Sequence, residues 1–161
     1  MKVVVNTSPL IALERIGCLA VLPKLYDTVI RPQSVLEELK AGGSQVAVKE
    51  LVNANWILTA DDPEEMVLRK ELGDGETAAI ALAVKLQADL IILDDLAARH
   101  VAAELDLNVT GTLGILLAAW KKGYLKDIKG AVEDLKSSGF HLSDALVSSL
   151  LNKAGEQTQQ R

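Results

Sequence analysis

The feature that most narrows the fold of this chain is a four-residue apolar run, Leu90-Ile91-Ile92-Leu93, closed by Asp94-Asp95. An apolar run without alternation marks a strand covered on both faces, the habit of parallel sheets. Just upstream, the turn Gly73-Asp74-Gly75 leads through Glu76 into an alanine-rich helix expected from Thr77 to about Gln87, and Ala88-Asp89 returns the chain to the strand. Parallel neighbours need such crossover helices. Acids at the carboxyl end of a strand stand where open α/β sheets place their sites, so 72–95 reads as the site-bearing unit.

At about 100° per residue, Glu76, Ile80, Ala83, Val84 and Gln87 share one stripe of the expected helix. Lys85 projects from roughly the opposite side. That stripe aims Glu76 at the interior or at a cleft beside it. The plainer alternative is an acid in a first turn, favoured there by the helix dipole.

The remaining chain supplies the partners of this unit. Val3-Val4-Val5 reads as a first, central strand ended by Asn6-Thr7-Ser8-Pro9, with Ser8 as N-cap and Pro9 at the first helical position. A helix through Leu10, Leu13 and Ile16 ends near Gly17, and a second short one spans Cys18 to Tyr26. Thr28-Val29-Ile30 is a strand; Pro32 opens a helix from Gln33 to Lys40. There Glu38 lies roughly 105° from the centre of the apolar side and Glu37 roughly 150°. Glu38 is thus the better site candidate and Glu37 faces water. After Gly42-Gly43-Ser44 come a helix from Gln45 to Val52 and a strand Trp56-Ile57-Leu58-Thr59. Asp61-Asp62-Pro63-Glu64-Glu65 reads as helix-start chemistry, and Leu96 to Leu105 as a helix. Asn108-Val109-Thr110 is a last short strand, and Thr112 caps a helix from Leu113 to about Lys122. Ile128, Val132 and Leu135 form an apolar stripe on a further helix, and Ser143 caps one carrying Leu146 and Leu150. The expected architecture is a single domain, 1–155, a three-layer α/β/α sandwich on a small, mostly parallel sheet, with 156–161 a disordered tail.

Composition removes several chemistries. A single cysteine, Cys18, excludes an internal disulfide and fits a reducing cytoplasm. Two histidines and one cysteine do not make a zinc site of the usual kind, so a metal here would be a hard cation, Mg²⁺ or Mn²⁺, on carboxylates. No run approaches the ~20 apolar residues of a membrane span. The net charge of −5 argues against a broad basic surface for nucleic acid. Neither His100 nor His141 sits in a nucleophile motif. If the strands are parallel, Asn6 and the Asp94-Asp95 pair emerge on one sheet edge, with Glu76 at a helix start beside them and Glu38 on a nearby helix. Carboxylates gathered there repel one another unless a divalent cation lies between them. Asp95 is also a candidate N-cap, Arg99 either its i,i+4 ion partner or a phosphate contact, and Thr112 a cap or a pocket hydroxyl.

Asn6-Thr7-Ser8-Pro9-Leu10-Ile11, Pro32 with Val35-Leu36-Glu37-Glu38-Leu39, Gly75-Glu76 before Ala79-Ile80-Ala81-Leu82-Ala83, Leu93-Asp94-Asp95 with Ala98-Arg99, and Gly111-Thr112-Leu113-Gly114 occur in one order. Together they resemble the PIN-domain proteins, in particular a prokaryotic subfamily of short members related to VapC-type toxins. The resemblance covers roughly residues 2 to 120. It implies a Mg²⁺- or Mn²⁺-dependent ribonuclease acting on RNA. Its acidic positions fall on Glu38, Glu76 and Asp95, with Asp94 as helper, and its pocket hydroxyls on Ser8 and Thr112. It also implies frequent homodimers and, for toxin members, an antitoxin protein. The first acidic position is Asn6 here, which removes one negative charge. That departure favours a second reading, a PIN-like binding module without catalysis. A third, a receiver-like phosphoryl switch, lacks an acceptor Asp at a central strand end paired with a late Lys.

Overall fold

Val3, Val4 and Val5 are all fully buried, which consecutive strand residues achieve only when both faces of their strand are covered. In the computed structural model, which describes residues 1–42, 46–64 and 72–159, they form β1 (Val3–Val5). Its neighbours are β2 (Val29–Pro32) and β4 (Leu90–Ile92), with β3 (Ile57–Ala60) beyond β2 and β5 (Val109–Thr110) beyond β4. The order is β3-β2-β1-β4-β5 and every pairing is parallel. Side-chain alternation splits the core in two. Val3, Val5, Val29, Ile57 and Ile92 face one apolar cluster, and Val4, Ile91 and Leu93 face the other.

The first cluster is covered by α1 (Thr7–Arg15), α2 (Val21–Tyr26), α3 (Gln33–Ala41), α4 (Val46–Asn53), α7 (Thr112–Lys121), α8 (Ile128–Ser137) and α9 (Asp144–Gln159). The second is covered by α5 (Asp74–Leu86) and α6 (Leu96–Glu104). The three layers expected from the sequence are therefore present. The helix after β1 goes to one face and the helix after β4 to the other, so a crevice opens between the carboxyl ends of these two adjacent strands.

Several local expectations give way to packing. Asn6, not Ser8, is the N-cap residue of α1, and Ser8 is exposed within its first turn. Gly111, not Thr112, precedes α7, and Thr112 is its first, fully buried residue. The stripe assigned to Glu76 does not hold: Val84 is 47% exposed, while the buried side of α5 comprises Gly75, Thr77 to Ile80, Leu82 and Ala83. An alanine-rich helix has too little apolar contrast around its circumference for a stripe to set its rotation. Ile128, Val132 and Leu135 are buried within the same chain, where α8 packs against α7 and α9, so this stripe offers nothing to a second copy. Ser143 does cap α9, accepting from Leu146 N–H at 3.1 Å. That helix runs to Gln159, into the stretch read as a tail. The helix start expected around Glu65 lies outside the described residues. Asp62, from the same acid run, accepts from Ser34 N–H at 3.1 Å and from the Ser34 hydroxyl. It serves the first turn of α3, whose cap residue Pro32 has no side-chain acceptor.

One buried charge holds the β2–β3 half of the sheet to α4. Arg31, 2% exposed, donates to the carbonyls of Leu51 (2.7 Å) and Val52 (3.1 Å) and to Thr59 Oγ1 (3.1 Å). Those carbonyls belong to the last turn of α4, which lacks intrahelical donors and carries the negative end of the dipole. Burial lowers the pKa of this guanidinium from its ordinary value. Arg31→Met keeps the volume but strands both carbonyls. We expect a loss of about 2–4 kcal/mol, read as a shift of the urea midpoint. An unchanged midpoint would contradict the role assigned to the three bonds.

Candidate functional site

Register places the site residues before any side chain is considered. Val5 pairs with Ile92, so Asn6 and Leu93 leave the sheet side by side, and Asn6 N–H still donates to Ile92 O at 3.2 Å. Asn6 is 5% exposed, with extended dihedrals (φ −87°, ψ 171°) that suit an N-cap. An asparagine there ordinarily accepts from the second or third helical N–H. This one does not, and its Oδ1 is buried without a hydrogen-bond partner. The Asn6 side chain therefore does not serve as the cap of α1.

Glu38 and Glu76 form one half of the candidate site, around the start of α5. Glu38 comes from the last turns of α3, exposed as a residue but held at one oxygen by Thr7 Oγ1, which donates to Oε2 at 2.8 Å. Its other oxygen lies against the backbone of Gly75, the second residue of α5. Glu76, half-buried, turns back so that Oε2 accepts from Gly73 N–H at 3.0 Å, as the acid of a capping box does. Gly73 has no side chain to return the bond. Both acids thus sit at the amino end of α5, where the helix dipole favours negative charge.

Asp94 and Asp95, at the end of β4, form the other half. Asp94 Oδ1 accepts from Thr112 N–H and Oδ2 from Thr112 Oγ1, both at 2.7 Å, which ties β4 to the start of α7. Burial pushes its carboxyl above the ordinary value; the two Thr112 bonds and the Arg99 charge pull the other way. Arg99 lies beside Asp94 over Gly111: a Cβ there would stand 2.8 Å from Asp94 Oδ1 and 3.1 Å from Arg99 Nη1. Asp95 is the N-cap of α6, its Oδ2 accepting from Ala98 N–H at 2.9 Å, and its side chain is otherwise exposed.

The structure therefore brings Asn6, Glu38, Glu76, Asp94, Asp95, Arg99 and Thr112 to one sheet edge, in two halves. It does not gather them into a cage: among the described residues no three His, Cys, Asp or Glu side chains form a metal-holding group. Each acid is instead tied by one oxygen or both to a helix start or a hydroxyl. Ser8 has no role in these contacts, and the hydroxyl that reaches an acid is that of its neighbour Thr7. Sequence reasoning missed Thr7. Its signal was the position directly after the strand-end Asn6, where a side chain turns back toward the sheet edge.

A parallel sheet in this strand order, with acids at the carboxyl ends of its central strands, defines a three-layer α/β/α domain. A family model of PIN domains (DUF3368) matches residues 2–156, and the chain belongs to that family. A PilT N-terminus domain protein, SSO1118, from the hyperthermophilic archaeon Sulfolobus solfataricus P2 has a similar fold. Its TM-score is 0.57 at 18% identity, over 74% of this chain and 93% of that one. No curated protein matches the chain significantly.

Thr112 meets Asp94 through its hydroxyl as well as its backbone N–H. Its bond favours ionised Asp94, so its contribution is present above the folded pKa of Asp94 and fades as pH falls through it. In EDTA, Thr112→Val is expected to lower stability by about 1–3 kcal/mol near pH 8 and by less at low pH, with Thr112→Ser retaining most of the bond. A loss that is the same at both pH values would show that the hydroxyl acts on packing and not on the carboxylate.

Proposed function

We propose that this chain is a divalent-metal-dependent nuclease acting on RNA, with its site on the crevice between β1 and β4. The observation that carries the reading is the buried, unpartnered Oδ1 of Asn6, at the end of the strand that pairs with the one leading into Asp94 and Asp95. An unsatisfied buried acceptor is rare and costly, and a hard cation is a partner of the right chemistry for it. The donor set fits: Asn6 Oδ1 is a neutral oxygen ligand, and Glu38, Glu76 and Asp95 each have a carboxylate oxygen beyond the one bonded to protein. The absence of a cage fits too, because Mg²⁺ keeps several waters and uses one or two carboxylates plus substrate phosphates.

Asn6, Glu76 and Asp95, with Glu38 beside them, would hold the ion; Asp94, with both oxygens on Thr112, braces the half of the site that carries Asp95. When bound, a divalent cation supplies activation of water and neutralisation of charge on a phosphodiester. The chain's own part is positional. Glu38 and Glu76, fixed at the amino end of α5, supply the negative charge and, at Glu38, a general base beside the attacking water. Arg99 and the start of α7 offer a cation and backbone N–H groups to a phosphate. PIN domains are commonly nucleases and bind nucleic acid, which supports the reading. It carries with it a homodimer and, if the chain is a toxin of the VapC kind, an antitoxin partner; the apolar stripe of α8 is buried within the chain. A binding module without catalysis is the second reading, favoured by Asn6 standing at the first acidic position.

The amide variants separate charge from capping. Gln at 76 and Asn at 95 still accept the Gly73 and Ala98 N–H bonds, so Glu76→Gln and Asp95→Asn should match the parent's melting temperature in EDTA. Both should lose Mn²⁺-dependent cleavage of single-stranded RNA by at least a hundredfold, on the order of 3 kcal/mol. Cleavage that survives both substitutions removes these acids from the site, and a parent that binds RNA without cutting it favours the binding module.

A further inference from the structure

Gly75 has no backbone reason to be glycine. It is the second residue of α5, and its φ lies outside the left-handed region that Gly17, Gly123 and Gly139 occupy. What excludes a side chain there is Glu38. A Cβ on Gly75 would overlap Glu38 Oε1 and stand 3.0 Å from Cδ and 3.2 Å from Oε2. The same close approach occurs at Gly130, but there the carboxylate is Asp127, the N-cap of that helix. At Gly75 the acid arrives from a different helix, 37 residues earlier in the chain.

We propose that Gly75 is a positioning residue, whose bare Cα seats the Glu38 carboxylate at the amino end of α5, beside Glu76 and within the site. Its bearing on catalysis rests on the function proposed above. Glu38 is exposed and long, and two contacts fix its head: the Thr7 hydroxyl on Oε2 and the Gly75 backbone against Oε1. A methyl group at 75 removes the second and displaces the carboxylate from the first. The displaced group is the far end of a flexible side chain, so the fold survives and the acid moves. Gly75 thereby sets the separation of Glu38 from Glu76, two acids on different elements with no direct bond between them. Gly111 stands in the same relation to Asp94 and Arg99 across the crevice.

Two measurements test this, one without metal. Alanine is the better helix former, so Gly75→Ala should raise the melting temperature in EDTA clearly more in a Glu38→Ala background than in the parent. Equal shifts in the two backgrounds overturn the proposal. By calorimetry, Gly75→Ala should weaken Mn²⁺ binding at least fivefold, and Glu38→Asp, one methylene shorter, should recover part of that loss when combined with it. Parent-like Mn²⁺ affinity in Gly75→Ala likewise overturns it. If the parent itself takes up no Mn²⁺, the metal reading of the site falls, and the melting comparison alone decides whether Gly75 seats Glu38.

Discussion

The pairing of β1 with β4 is the constraint on which the rest of the molecule depends. Both strands are short, covered on both faces and parallel, and their following helices leave to opposite sides of the sheet. Two consequences follow from that geometry alone. Beyond Val5 and beyond Leu93 the chain departs to opposite faces, so a crevice opens there. Because Val5 pairs with Ile92, Asn6 leaves the sheet beside Leu93, and Asp94 follows one residue later at the same sheet edge. The site is a product of topology before it is a product of side-chain chemistry.

Side chains then solve a problem the topology creates. Helix starts of α5, α6 and α7 converge on the crevice, each with unpaired N–H groups and a positive dipole end. Acids are the natural answer, and Glu76, Asp95 and Asp94 each accept from one of these starts. Capping and function are therefore not competing explanations of the same residue. A cap uses one oxygen and fixes the carboxylate, and Glu76 and Asp95 each have a second oxygen beyond the capping one. Asp94 differs, since Thr112 occupies both of its oxygens. Its role is to join β4 to α7 and hold Arg99 in place. Asn6 differs in the opposite sense, with a side-chain acceptor that nothing in the described residues satisfies.

Much of this was legible in the sequence, and for physical reasons. Unbroken apolar runs at Val3–Val5 and Leu90–Leu93 announce a doubly covered parallel sheet, and polar residues directly after them announce its edge. Periodicity also distinguished Glu38 from Glu37, since Val35 and Leu39 give α3 a sharp apolar side. It failed on α5, where alanines blur the contrast and the outward Val84 was taken to point inward. Arg31 was invisible as a buried residue because its burial depends on β3 and α4 closing over β2, contacts remote in sequence. Gly75 read as a turn residue; its need for a missing side chain is a property of Glu38, and spacing cannot report it. The apolar stripe of α8 was legible as such, and α7 and α9 cover it.

Asn6 is where an enzyme and a binding module diverge, and its replacement is the most direct measurement of the central claim. If the crevice receives a divalent cation through Asn6 Oδ1, Asn6→Asp adds an anionic oxygen ligand to it. Hard cations bind more tightly as such ligands are added. A carboxylate in place of the amide contributes on the order of 1–3 kcal/mol with surface-like screening, or roughly five- to a hundredfold in affinity. Side-by-side calorimetric titration of the two proteins with Mn²⁺ at neutral pH should show that tightening. An unchanged dissociation constant would contradict the account and remove Asn6 from the site.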